Sequence, residues 1–146
     1  MQATRILPDL QASLLCEDIK QEVNGNLFII GVINLIRLPQ LPFVAGRLCV
    51  FNRWTAGIGQ FTEVVRVIAP DQTTVLRKAE LKFELKDAAL QSTNVMVFGQ
   101  LEFKTAGTYF IEVLVDDVMK IRYPVPVIVA PPPNQNPPPA TEEKPA

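Results

Sequence analysis

The chain has 146 residues and a mass of 16.2 kDa, which fits one domain better than two. Apolar residues make up 48% and charged residues 20%, enough for a packed core and too apolar for a wholly disordered chain. The net charge of −1 offers no bulk electrostatic reason to bind nucleic acid or an anionic membrane, and the chain contains no histidine, which excludes Ser-His-Asp, Cys-His and histidine-metal chemistry together.

The first residues, Met1 to Asp9, offer one positive charge and no apolar run, so no secretory signal is expected. The longest apolar run, Leu27 to Ile33, is far below the ~18 residues that cross a bilayer. Cys16 and Cys49 are the two cysteines. Without a signal or a CxxC pair they read as reduced, buried thiols of a cytoplasmic protein, with no metal and no cofactor implied.

Period-two alternation dominates the chain. Leu10, Ala12, Leu14 and Cys16 share one face of a first strand, and Asn24-Gly25-Asn26 supplies turn chemistry. Leu27 to Arg37 is β-branched and apolar on both sides, the pattern of a central strand. Pro39 and Pro42 stop it. Phe43 to Trp54 forms the next strand, Thr55 to Gln60 a glycine-containing loop, and Phe61 to Ala69 a fourth strand. After the Pro70-Asp71-Gln72-Thr73 turn, Thr74 to Leu85 alternates apolar Val75, Ala79, Leu81, Phe83 and Leu85 with charged Lys78, Glu80, Lys82 and Glu84. Lys, Glu and Leu are good helix formers, so a helix is the rival there; the alternation favours a strand with one wet face. The charge ladder itself solubilises that face, and each cross-strand pair adds only ~0.2–1 kcal/mol.

Thr93 to Lys104, Thr108 to Val115 and Val118 to Val129 complete the set, the last two joined by Asp116-Asp117. Pro124 and Pro126 remove two successive donors on one side, which predicts a sheet edge along residues 123–127. The expectation is a single immunoglobulin-like antiparallel β-sandwich of about eight strands over residues 8–130. An N-terminal arm, 1–7, precedes it. A proline-rich disordered tail, 131–146, follows; it holds no PxxP and reads as a solvated terminus more readily than as a docking peptide.

Two resemblances add to this. Ser13-Leu14-Leu15-Cys16-Glu17, Gly25 to Val32, Leu48-Cys49-Val50-Phe51 and Ile68-Ala69-Pro70-Asp71 together resemble a family of small uncharacterised bacterial all-β proteins of unknown function. That resemblance implies no reaction, cofactor or site residue. Gly107-Thr108-Tyr109-Phe110-Ile111-Glu112-Val113 is similar to the late strand of immunoglobulin-like sandwiches, where a tyrosine hydroxyl returns to the backbone at a corner. Ile111 stands where the antibody branch has a cysteine, so the inter-sheet disulfide is absent.

The candidate recognition site is Asn52, Arg53, Trp54 and Gln60, flanking the glycine loop. A tryptophan plane beside a guanidinium can grip a sugar, a base or a partner side chain. The competing reading is a tryptophan that plugs the sandwich end. Regular alternation would put Arg53 and Trp54 on opposite faces, so the binding version requires the strand to end or bulge there. Asp71, Asp116 and Asp117 sit where turns want them and lack calcium-loop spacing; Glu17 and Asp18, as neighbours on a strand, cannot share a substrate. The expected function is a non-catalytic structural or protein-interaction module with an unidentified protein partner, and no nucleic acid or membrane. A further copy of the chain is also open as a partner. The alternative is a carbohydrate or small-ligand binding module using the end around Arg53 and Trp54.

Overall fold

A computed structural model describes residues 4–130. It is all-β, with nine strands in two sheets. In chain order they are β1 (Asp9–Gln21), β2 (Leu27–Val32), β3 (Ile36–Leu38), β4 (Phe43–Thr55), β5 (Gly59–Ile68), β6 (Val75–Leu85), β7 (Gln91–Phe103), β8 (Gly107–Val115) and β9 (Val118–Val129). One sheet runs β2-β1-β4-β7 and the other β3-β9-β8-β5-β6. The proline-rich tail lies outside the described residues.

The sheets face each other as a sandwich. Alternate residues of the two inner faces make the core: Leu48, Val50 and Trp54 of β4 and Met96 and Phe98 of β7 meet Phe61, Val65 and Val67 of β5 and Tyr109, Ile111 and Val113 of β8. Along one margin, β6 and β7 approach without a ladder. Arg77 bridges them, its Nη1 donating to the Gly99 carbonyl at 2.8 Å. Of the arm, Ile6 exchanges both backbone hydrogen bonds with Ile58, and Leu7 packs on the core.

Three expectations need correction. The strands number nine, not eight, because Leu27–Arg37 is two elements and not one central strand. Residue Gly31 sits at φ +68°, and a Cβ there would collide with the Glu17 side chain. That backbone ends the run as a single pleat. Its first half becomes β2, the edge of the four-stranded sheet; its last residues become β3, which joins the other sheet. Second, the sandwich is not wholly antiparallel, since β3 pairs with β9 in parallel. Third, the sheet edge expected along residues 123–127 fails only at its last residue, Val127. Tyr123 to Pro126 have register partners on β8 alone, as the two prolines require, but β3 covers Val127, Ile128 and Val129.

Other expectations hold. β6 is a strand and not a helix, pairing with β5 from Val75 to Leu85. Asp116 and Asp117 carry φ 46° and 66°, the two positive values a tight primed hairpin turn needs. Tyr109 is buried and its hydroxyl donates to the Thr105 carbonyl at 2.6 Å, closing the predicted corner. Cys16 and Cys49 are both free and fully buried.

Candidate functional site

The β4 strand stays regular through Trp54, and this separates the residues expected to act together. Trp54 and Asn52 point inward and are fully buried; Arg53 points to the opposite face of the sheet and is half-buried. Trp54 stacks on Phe83 of β6, ring centroids 5.7 Å apart. The tryptophan plane and the guanidinium therefore do not form a common grip. Gln60 is exposed at the start of β5, at a shallow groove of about 640 Å³ that it shares with Arg5, Phe61, Lys82 and Asp116. Arg5 fills much of the chemistry there. It pairs with Asp116, donates to the Gln60 carbonyl at 3.0 Å and lies 4.7 Å above the Phe61 ring.

Inside the sandwich, Trp54 and Asn52 belong to a buried polar cluster that the sequence reading missed. Glu63 of β5 is fully buried opposite them. Its Oε1 accepts from the Trp54 indole N–H and from Asn94 Nδ2 at 3.4 Å. Asn94 is the cross-strand partner of Asn52, and its Oδ1 accepts from the Ser92 hydroxyl at 2.9 Å. Among the described residues, Glu63 Oε2 and both amide atoms of Asn52 have no hydrogen-bond partner. Burial pushes the Glu63 carboxyl above its usual range. The Trp54, Asn94 and Asn52 side chains pull it back, Asn52 by lying nearby without a well-formed hydrogen bond. The signal was present in the sequence: Glu63 stands in the inward row Phe61, Glu63, Val65, Val67, where every other member is apolar.

The outer face of the four-stranded sheet carries a second concavity. β1 has register partners on β4 only as far as Cys16, opposite Cys49, and beyond that pairs with β2. The end of the β1–β2 hairpin faces the outer side of β4 and β7 across a groove of about 750 Å³. Gln21, Gly25, Asn26, Leu27 and Ile29 line one side, and Phe51, Arg53, Thr93 and Val95 the other. Beside this region, Cys16 and Cys49 are covered. Burial, then the Cys49 thiol and the Asp18 carboxylate, push the Cys16 thiol up to about 11. Asp18 itself pairs with Arg47 at 3.1 Å.

The loop aspartates serve their own turns. Asp71 accepts from the backbone N–H groups of Thr73 and Thr74 and from the Thr74 hydroxyl, which hold it down at about 2. Asp116 accepts from the Thr62 N–H at 2.9 Å as well as from Arg5.

These features define a two-sheet all-β protein with a sealed core, an apolar edge hairpin and a groove on its outer face. Residues 11–128 match the family of unknown function DUF6941, and the chain belongs to it. The match runs through both halves of the chain, beyond the first-half stretches that carried the resemblance. No curated protein matches it significantly.

Proposed function

We propose that this protein is a non-catalytic interaction module, built on an immunoglobulin-like sandwich, that docks a protein partner along β2. The immunoglobulin-like reading is supported by the neighbour order β9-β8-β5 in one sheet and β1-β4-β7 in the other, which parallels G-F-C and A-B-E, and by the Tyr109 corner. The docking reading rests on one observation, the lack of protection on the β2 edge. Exposed sheet edges ordinarily carry charge, proline or cover. β6 carries Arg77, Lys78, Glu80, Lys82 and Glu84; β3 is three residues long and runs into Pro39; β7 is bridged to β6 by Arg77. From Val23 to Ile36 there is neither a charged residue nor a proline. Phe28, Ile30 and Val32, at alternate positions of β2, are 52%, 40% and 50% exposed. Such an edge favours an added strand from a partner, with main-chain hydrogen bonds for affinity and these side chains for selectivity.

A reducing, cytoplasmic setting fits two free cysteines that face each other in register. The test is a Phe28→Lys, Ile30→Lys double variant, compared with wild type for partner recovery from the native host and for thermal unfolding. Lost recovery at unchanged stability is expected. Unchanged recovery would remove β2 as the docking element.

A further inference from the structure

We infer that the outer-face groove beside Arg53 binds a small amphipathic carboxylate, one carboxylate group on a hydrocarbon body. The volume of about 750 Å³ falls in the range of small-molecule sites. Its lining is mixed: apolar Leu27 and Ile29 from the hairpin and Phe51 and Val95 from the sheet stand beside polar Gln21, Asn26 and Thr93. Arg53 is the charged residue that lines it among those described. Among the described residues, Arg53 forms no ion pair, and its Nε–H is shielded from water with no acceptor. The contrast lies on the same strand, where Arg47 has Asp18. The register partners of Arg53 are Ala12 on β1 and Thr93 on β7, neither of which can balance its charge.

A half-buried guanidinium whose Nε–H has no acceptor among the described residues favours an anion that replaces its lost hydration. The fork of N–H donors matches a carboxylate in two parallel hydrogen bonds. A single cation balances a single negative charge, so a carboxylate fits better than a phosphate dianion. Leu27, Ile29, Phe51 and Val95 then offer apolar contact to a hydrocarbon body attached to that carboxylate. This site stands apart from docking along β2, which uses Phe28 and Ile30, the residues alternating with Leu27 and Ile29.

The test uses the full chain, isotope-labelled for NMR, titrated with octanoate, octan-1-ol and octylammonium. Octanoate is expected to give saturable shifts at Leu27, Ile29, Phe51 and Val95, and to bind more tightly than the other two. Arg53→Gln should weaken octanoate by about tenfold or more, because a charge-assisted hydrogen bond is lost, and leave octan-1-ol unchanged. Thr93→Glu places a carboxylate directly opposite Arg53 in the ladder and should abolish octanoate binding with the fold intact. If Arg53→Gln fails to fold, Thr93→Glu decides alone. Octanoate shifts located elsewhere, affinity equal to that of octan-1-ol, or full binding to Thr93→Glu would overturn the inference.

Discussion

Glu63 links a single residue to the stability of the whole sandwich. Its carboxyl is enclosed by Trp54, Asn52 and Asn94, and its Oε2 has no partner among the described residues. Burial favours the neutral acid, so the folded-state pKa lies above the unfolded value of about 4.3. The sign follows from linkage. The unfolded chain releases this proton first, so the stabilisation is fully present below about pH 4.3 and is lost as pH rises through the folded-state pKa. Urea-unfolding midpoints should therefore fall with rising pH above that value. Glu63→Gln should flatten this dependence and leave the protein more stable than wild type at pH 8. An unchanged slope would mean that Glu63 ionises freely in the fold. Asp71 acts in a different window, because its carboxyl is held at about 2: its contribution is present above the unfolded value of about 3.9 and is lost as pH falls toward about 2.

Two further residues behave as their neighbours dictate. Tyr109→Phe removes the donor to the Thr105 carbonyl and should cost about 1 kcal/mol in chemical denaturation. A cost near zero would show that the corner contributes nothing. Cys16 and Cys49 lack solvent access, and the Cys16 thiol is pushed up to about 11, so native thiol labelling should be slow and denaturant should expose two fast thiols. Two thiols that label rapidly in the native state would contradict their burial.

At the scale of elements, β2 and β6 are both edge strands with opposite surface chemistry. β6 alternates charge with apolar residues, and that alternation made it legible in the sequence as a one-face-wet strand. β2 was not legible, because a run that is apolar on both sides looks the same whether two sheet faces or a groove and an open surface receive it. The clue lay in Gly31: glycine inside a strand pattern marks a bend or a close backbone approach, and here it marks both. The turns, the strand limits of β4 to β9 and the Tyr109 corner followed from local chemistry. The site did not. Alternation along β4 stated that Arg53 and Trp54 face apart, but nothing local to β5 could say which residues of β4 and β7 would surround Glu63. That pairing depends on how two sheets stack. In native hydrogen exchange, the Leu27–Val32 amides should exchange much faster than those of Cys49–Asn52, which sit between β1 and β7. Equal protection would mean that β2 is already covered.

On the whole-molecule scale, the sandwich seals its core and leaves two features on the side of the four-stranded sheet: the uncharged edge of β2 and the groove beside Arg53. The opposite sheet presents β6 with its charge ladder, and the strand ends are closed by turn aspartates and by Arg5. The proposed docking edge and the proposed ligand groove therefore both lie on the β1–β2 hairpin side. The most direct test is site-specific photocrosslinking in the native host, with a photoreactive amino acid at position 28 or 30 of β2, or at position 82 or 84 of β6 as a control edge. The account predicts one discrete crosslinked protein from positions 28 and 30 and none from 82 and 84. Crosslinking confined to β6, or the same products from both edges, would contradict it.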